Sequence, residues 1–130
     1  MRHALGEYTI FVPHTLTPNG GAKLAHPVQE GTALALMEAI EDEVAAAGKD
    51  TLQSALMQSG ITEPAAILVC SCFLRMNLLK SRINEELAAI TTAMPGVPLA
   101  GFYSAGEQGT NADHVSRHNN EAIVILLLGN

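Results

Sequence analysis

Two nearly continuous apolar runs stand out in the second half of the chain. Residues 66–72 are apolar around Ile67-Leu-Val-Cys70, and residues 122–128 read Ala-Ile-Val-Ile-Leu-Leu-Leu. Runs of this length without alternation are typical of buried strands that are covered on both faces. A third short run, residues 98–103, follows the turn signal Pro95-Gly96. The pattern therefore predicts three strands, and one of them closes the chain.

Two other segments have the spacing of amphipathic helices. Apolar residues from Ile40 to Met57 predict a helix across residues 39–59, in which Gly48 weakens the middle and Asp50 could cap a restarted second piece. The second stripe has spacings of four, four, three and four residues and stops at the Pro-Gly turn. It consists of Leu79, Ile83, Leu87, Ile90 and Met94.

The N-terminal part has the signals of a hairpin. Residues 8–13 alternate and are rich in strand-forming types, and Thr17-Pro-Asn-Gly-Gly21 is a dense turn signal before a return strand at residues 22–26. Residues 32–37 alternate apolar and small side chains, which fits either a third strand or the start of a helix. We interpret them as a strand because Gly31 precedes them.

The order of elements, ββ(β)αβαββ, predicts an α/β fold, with α+β as the alternative. We expect a single domain over residues 1–130 with a mixed β-sheet and two main helices, divided into an N-terminal hairpin (6–27) and a core (28–130). The strands at 66–72 and 98–103 flank a helix, so they should be parallel with a right-handed crossover. The last strand returns without a helix and should be antiparallel to a neighbour.

This topology gathers polar residues along one rim of the sheet. Ligands of open α/β sheets bind beyond the carboxyl ends of the strands, and the loop before the last strand, ending in His118-Asn119, should face the same edge. The candidate ligand-binding residues are Cys72, Arg75, Tyr103, Ser104, Glu107, His118 and Asn119.

Composition excludes several classes of protein. With 48% hydrophobic and 15% charged residues the chain is not disordered, and its net charge of −6 and 4% aromatic content argue against nucleic-acid binding. The longest apolar run has seven residues, whereas a membrane span needs roughly 20. No signal peptide is recognisable, and no Gly-rich phosphate loop precedes a helix, so we expect neither a membrane association nor a cofactor.

Two further features concern compartment and partners. Cys70 and Cys72 stand two apart on one predicted strand, which does not make a disulfide framework, so free thiols in the cytoplasm are the simplest interpretation. The mean hydropathy of +0.20 is high for this length. The surplus fits either a core or a face that docks on another domain or a second copy, so we expect a homo-oligomer when the chain is isolated.

The order of the motifs resembles the FIST C domain, a ligand-sensing module of prokaryotic signal-transduction proteins. The resemblance covers roughly residues 28–128. It rests on Ser71-Cys72 with Arg75 three residues on, then Gly101-Phe-Tyr-Ser-Ala-Gly-Glu107, then His118-Asn119 before a terminal apolar strand. It departs from the family pattern at Leu74, Gln108 and Asn120-Glu121. It implies small metabolites such as amino acids as ligands, and a companion N-terminal FIST domain or a signalling output domain as partner; the chain is then either a fragment or stands alone.

Arg75 and Glu107 are the charged candidates at the rim. Arg75 could hold a ligand carboxylate bidentately, or it could form a salt bridge to Glu107 that closes the rim. As a ligand contact, its replacement by alanine should leave the melting temperature of the ligand-free protein nearly unchanged. Glu107 follows Gly106, which allows a turn that aims the carboxylate inward. It could pair with a ligand ammonium group or accept backbone N–H groups.

The remaining candidates carry open alternatives. Cys72 could be a nucleophile activated by His118, or an inert buried thiol; the absence of a nucleophile signature favours the inert thiol. His114 and His118 have metal-chelating spacing, with Asp113 as a third ligand, but only in a helix, and we expect no metal. Asn119 could touch ligand or tie down loop backbone.

Three functions follow from these readings. The first is a non-enzymatic sensory domain that binds an amino-acid-like metabolite. The second is a hydrolase or transferase that uses Cys72, Glu107 and His118. The third is a docking or dimerisation domain with a purely structural rim.

Overall fold

The computed structural model describes residues 8–110 and 115–129, and the chain divides into two compact units. The core unit comprises Glu38–Glu107 and Glu121–Asn130. The N-terminal unit comprises Met1–Met37 and Gln108–Asn120. The predicted division into a hairpin (6–27) and a core (28–130) stays a prediction.

The described elements keep the predicted sequence of strand pair, helix, strand, helical segment and strand, and they add two strands after it. In chain order they are β1 (Pro13–Leu16), β2 (Ala22–Leu24), α1 (Glu41–Ser59), β3 (Ala66–Cys72), α2 (Phe73–Leu79), a 3₁₀ turn (Lys80–Arg82), α3 (Ile83–Ala93), β4 (Leu99–Ser104), β5 (Glu107–Thr110), β6 (Ser116–Asn119) and β7 (Ile123–Leu128). The fold is mixed α and β, which confirms the predicted class. No helix among the described residues is long and apolar enough to span a membrane.

The core unit is built on a three-stranded mixed sheet in the order β4-β3-β7. β3 and β4 are parallel, with Ser71 opposite Tyr103 and Cys72 opposite Ser104. β3 and β7 are antiparallel, with Ser71 opposite Ile123. The predicted parallel crossover pair and the antiparallel last strand are thus confirmed. The carboxyl ends of β3 and β4 and the start of β7 share one edge, which we call the rim.

One face of this sheet packs against the helices. The buried cluster there consists of Leu52 from α1, Ile90 from α3, and the strand residues Ile67, Val69 and Leu127. On the strands these residues alternate with less buried ones, because successive side chains point to opposite faces. The helices therefore cover one side of the sheet.

The opposite face, which we call the outer face, is apolar and open to solvent. Phe102 is 59% exposed and Leu126 is 53% exposed, while Leu68 between their strands is half-buried. The strand register places five further apolar residues on this face: Ala66, Cys70, Ala100, Val124 and Leu128. The continuous apolar pattern of β3 and β7 predicted that both faces of the sheet are buried. Among the described residues, only the face that packs against the helices is buried.

Helix α1 runs for 19 residues without a break, so the restart considered at Asp50 does not occur. Three acidic residues in the first turn complement the helix dipole, and the helix ends at Gly60, which has φ 68° and donates its N–H to the carbonyl of Leu56. Gly48 is tolerated because α3 approaches it closely. A Cβ there would stand 3.0 Å from Cγ of Glu86 and 3.2 Å from Cδ1 of Ile90.

The stripe from Leu79 to Met94 is divided between two helices rather than lying on one. Lys80, with φ 50°, ends α2, and the 3₁₀ turn leads into α3. Arg82 in this turn forms ion pairs with Asp42 at 2.8 Å and with Glu85 at 2.7 Å. The break separates a short helix that starts directly after β3 from the longer α3, which packs against α1.

The N-terminal unit contains two separate strand pairs. β1 and β2 are antiparallel around the predicted turn at Thr17, whose N–H donates to the carbonyl of Gly21. The first strand lies at Pro13–Leu16, so the prediction of residues 8–13 is shifted. β5 and β6 form a second pair where only a loop was predicted. His118 and Asn119 thus belong to β6 and do not begin the last strand.

The predicted third strand at residues 32–37 is wrong. The structure gives residues 32–40 no helix or strand, and the side chains of Leu34 and Leu36 are exposed. Alternation of apolar and small residues makes a strand only where a neighbouring strand accepts its hydrogen bonds, and no described strand pairs with this segment.

Candidate functional site

The rim is held together by backbone pairing between three strands. Cys72 ends β3 opposite Ser104 of β4. The backbone N–H of Cys72 donates to the carbonyl of Ala122 at 2.9 Å, which fixes the entry to β7 at the same edge. Ser104 and Cys72 are therefore neighbours because of strand register, and both lie at the rim that the crossover predicted for them.

Gly101 explains how β4 comes so close to β3. A Cβ at this position would overlap with the carbonyl oxygen of Val69 and stand 3.1 Å from its Cβ. The first glycine of Gly101-Phe-Tyr-Ser-Ala-Gly-Glu107 is thus a packing requirement of the parallel pair. It places Tyr103 and Ser104 at the rim.

Glu107 is the central buried acid of the rim. Its side chain is 4% exposed, and Oγ of Ser104 donates to its Oε1 at 2.5 Å. Its other oxygen, Oε2, is buried and accepts no hydrogen bond from the described residues. A buried acceptor without a partner costs about 1–3 kcal/mol. The carboxylate is thus held at one oxygen and lacks a donor at the other.

The thiol of Cys72 lies beside this carboxylate. Burial raises the pKa of Cys72 above its ordinary value of 9.0, and a side-chain hydrogen bond to Glu107 raises it further. Backbone hydrogen bonds from the segments at Leu74 and Glu121 oppose the shift only in part. A nucleophilic cysteine needs the opposite, a lowered pKa. The environment therefore keeps this thiol protonated.

Arg75 points into the core unit and pairs with Glu86. Nε and Nη2 of Arg75 both donate to Oε1 of Glu86, with Nε at 2.9 Å, while Oγ of Ser71 donates to Oε2 at 3.1 Å. Arg75 is 5% exposed and Glu86 is fully buried. The alternative of a salt bridge between Arg75 and Glu107 is wrong, because Glu86 occupies the guanidinium.

The guanidinium of Arg75 also donates hydrogen bonds to two backbone carbonyls. Nη2 donates to the carbonyl of Val44 in α1 at 2.7 Å, and Nη1 donates to the carbonyl of Glu121 at 2.8 Å. Glu121 has φ 56°, a left-handed conformation that this bond helps to hold just before β7. Arg75 thus joins α1, α2, α3 and the entry to β7. Its role as a ligand contact stays a prediction, which this inward geometry does not favour.

Tyr103 lies near the same charged pair. Burial is the main cause that raises the pKa of its hydroxyl, the negative charge of Glu86 raises it further, and Arg75 opposes the shift. Its side chain is still 37% exposed. The phenol therefore stays neutral and partly open to solvent at the rim.

His118 and Asn119 lie on β6 in the N-terminal unit. The ring of His118 is 4.2 Å from the ring of His26 between centroids, at an angle of 58°. The amide nitrogen of Asn119 lies near Gly109 of β5, 3.6 Å from where a Cβ would stand. The structure thus brings Cys72, Ser104 and Glu107 together, whereas the two β6 residues belong to a different unit.

Glu86 and Ser71 are the important polar residues that the sequence reasoning missed. Glu86 stands three residues after Ile83 and four before Ile90, so it lies on the same helical face as the apolar stripe. A carboxylate on an otherwise apolar helical face indicates a buried polar contact, and this signal could have identified Glu86. Ser71 precedes Cys72 in the motif, but nothing in the neighbouring sequence indicates that its hydroxyl pairs with Glu86.

The described residues contain no group of three or more His, Cys, Asp or Glu side chains that could hold a metal ion. His114 and Asp113, which the metal hypothesis needs, lie outside the described residues. Cys70 and Cys72 form no disulfide.

The chain thus combines a mixed α and β fold, a buried polar rim and the motif order described above. The family model of the FIST C domain matches residues 1–110, and the chain belongs to this family. Searches of curated proteins and of solved structures found no significant match.

The family match adds two facts about the site. It includes Cys72, Arg75 and the segment 101–107, and it ends before His118 and Asn119. FIST C is a sensory signal-transduction family that is not known as enzymatic, and it implies pairing with an N-terminal FIST domain and a small ligand.

Proposed function

We propose that this domain senses a small, amino-acid-like metabolite whose ammonium group donates a hydrogen bond to Glu107. The observation that carries the proposal is Oε2 of Glu107, which is buried and has no donor among the described residues. An ammonium group supplies both the missing donor and a compensating charge. Charge-assisted hydrogen bonds of this kind are the strong ones.

The neighbours of Glu107 suit such a contact. Ser104 fixes Oε1 and so restricts the carboxylate to one orientation. The protonated thiol of Cys72 forms a hydrogen bond with Glu107 as a weak, neutral donor, so it brings no positive charge to the carboxylate. Arg75 is engaged with Glu86, so no described cation neutralises Glu107 before the ligand does.

The other candidate residues have secondary roles in this proposal. Tyr103 is partly exposed at the rim, and its hydroxyl offers a neutral polar contact. Arg75 acts by holding the rim backbone rather than by touching ligand. His118 and Asn119 remain candidate contacts from the motif resemblance. Cytoplasmic location, supported by the two free cysteines, also belongs to the proposal.

The raised pKa of Cys72 favours this sensory function over the hydrolase or transferase alternative. An enzyme of that kind would need a thiolate near neutral pH.

A thermal-shift screen against amino acids and simple primary amines tests the proposal. A ligand at about 100 times its Kd stabilises the folded state by about 2.7 kcal/mol, which raises the melting temperature of a domain of this size by several degrees. Glu107→Gln should lose the shift, and Ser104→Ala should weaken it. Glu63→Gln, at an exposed position, is the matched control and should keep it.

Two outcomes would reject the proposal. The first is an absence of any shift with amines. The second is an equal shift in the wild-type protein and in Glu107→Gln, which would remove Glu107 from the ligand site.

We also propose that the outer face is the surface that contacts the companion N-terminal FIST domain. The face is apolar and uncharged across three strands, and the family implies such a partner. Without that partner, exposed apolar surface of this kind favours self-association.

A further inference from the structure

The buried polar groups of the rim point to opposite faces of the core sheet. Ser71 points toward the helices, where its Oγ donates to Glu86 of α3 at 3.1 Å. Successive side chains of a strand alternate between the two faces, so Cys72 points to the outer face, and strand register places Ser104 beside it. Oγ of Ser104 in turn donates to Oε1 of Glu107 at 2.5 Å. The Glu107 carboxylate therefore lies at the end of the outer face that adjoins the rim.

The neighbouring row of side chains on the outer face is apolar. Two residues before Cys72 and Ser104, strand register places Cys70 opposite Phe102 of β4 and Val124 of β7, and we call these three residues the apolar row. Phe102 is 59% exposed, Val124 is 43% exposed and Cys70 is half-buried. The row begins about 6.6 Å along the strands from the rim pair and crosses three strands, or about 10 Å at the usual spacing. A body of the size of a leucine or phenylalanine side chain fits these dimensions.

Glu107 by itself does not select among amines. Its Oε2 is buried and accepts no hydrogen bond from the described residues, and any ammonium group supplies that donor. The rest of the ligand decides which amine binds best. Because the apolar row is the part of the outer face next to Cys72 and Ser104, a body that covers Phe102 and Val124 removes apolar surface of both the ligand and the domain from water. A polar body of the same size gains nothing there, since its own groups lose contact with water.

We propose that the ligand is a primary amine with an apolar body, such as a hydrophobic amino acid or the corresponding amine, whose ammonium group meets Glu107 while its body lies on the apolar row. This selectivity rests on the proposed role of Glu107 and names the class of ligand. Phe102 and Val124 are then the residues that determine specificity. All of the residues involved belong to the core unit.

Alkylamines of increasing length test this selectivity at constant charge. The dependence of the melting temperature on amine concentration gives the apparent Kd, and the protein is kept dilute because self-association through the outer face would cover the row. A fully buried methylene group is worth about fourfold in affinity, so one that is covered on one side is worth about twofold. Pentylamine, with four more methylene groups than methylamine, should therefore bind about 16-fold more tightly. Ethanolamine, which has a hydroxyl in place of the methyl group of propylamine, should bind at least about fourfold more weakly than propylamine.

Variants assign the selectivity to the apolar row. Phe102 is largely exposed, so its replacement leaves the buried cluster intact. Phe102→Ala should bring pentylamine to within about fourfold of methylamine, while methylamine, which does not reach the row, should bind as it does to the wild type. Phe102→Leu keeps an apolar side chain and should retain most of the difference. Met57→Ala, the matched control, removes an exposed apolar side chain of α1 and should behave as the wild type.

Two results would overturn this selectivity. One is equal binding of propylamine and ethanolamine, and the other is a preference for pentylamine that Phe102→Ala leaves unchanged. In either case, an amine shift that Glu107→Gln abolishes would leave the proposed function standing. If no amine stabilises the domain, the proposed function is rejected and the selectivity with it.

Discussion

Arg75 and Glu86 form an ion pair that is sealed inside the core unit, with Arg75 5% exposed and Glu86 fully buried. Arg75 also donates hydrogen bonds to the carbonyls of Val44 and Glu121. Its guanidinium therefore connects α2 with α1, with α3 and with the entry to β7. Sequence alone predicts that Arg75→Ala hardly changes the melting temperature of the ligand-free protein. The geometry of the buried ion pair predicts instead that Arg75→Ala strongly lowers the stability of the ligand-free protein.

Arg75→Ala should destabilise the domain by about 3–5 kcal/mol, since it leaves the carboxylate of Glu86 buried and unpaired. Urea unfolding measures this change. Replacing both partners, as in Arg75→Met with Glu86→Leu, should recover much of the loss, because no buried charge then remains. Arg82→Ala, which breaks exposed ion pairs, is the control and should have little effect. A loss for Arg75→Ala as small as that of the control would contradict the buried pair.

Gly101→Ala should destabilise the core unit by more than about 2 kcal/mol, because the added Cβ overlaps with the Val69 carbonyl and disturbs the β3–β4 pairing. Gly109→Ala in β5 is the matched control. Its Cβ would meet only the Asn119 amide at 3.6 Å, an ordinary contact. Thermal or urea unfolding of both variants tests the difference, and equal stability of the two would show that the strands do not approach as described.

Cys72 should react slowly with iodoacetamide near neutral pH, because burial and Glu107 raise the pKa of its thiol. Mass spectrometry of the Cys70→Ser variant isolates this thiol, and the same variant unfolded in urea gives the reference rate. The folded protein should stay slower than the reference. Because the pKa is raised, the stabilising effect of the protonated thiol is complete below about pH 9 and is lost as the pH rises through the folded pKa. Selective alkylation of folded Cys72 faster than the reference would instead revive the catalytic interpretation.

The isolated chain should self-associate through the outer face, because Phe102, Val124 and Leu126 leave a large apolar surface exposed. Light scattering should show a concentration-dependent dimer or larger species, and Leu126→Lys should convert it to a monomer. Leu16→Lys, at an exposed leucine of β1 in the N-terminal unit, should not. A strict monomer at high micromolar concentration would argue against any docking role for this face.

The sequence by itself determined the strands of the core sheet and placed the ends of β3 and β4 at one rim. The uninterrupted apolar runs of β3 and β7 and the helical stripe between β3 and β4 were sufficient to predict that β3 and β4 are parallel and that the last strand is antiparallel to a neighbour. The structure shows that this neighbour is β3. From that topology it followed that Cys72 and Ser104 lie at the same rim. These features are predictable because hydrophobic burial leaves a periodic pattern in the chain.

Only the tertiary structure decided which polar groups pair. Glu86, not Glu107, takes the guanidinium of Arg75, because α3 brings the Glu86 carboxylate onto it, and this distance has no signature in the local sequence. β5 and β6 also escaped prediction, since their residues are polar, and residues 32–37 have a strand pattern but no described strand beside them. Hydrogen bonds and ion pairs depend on angstrom-scale distances between segments that are far apart in the chain, whereas burial of apolar surface is non-directional and is already encoded in the order of the residues.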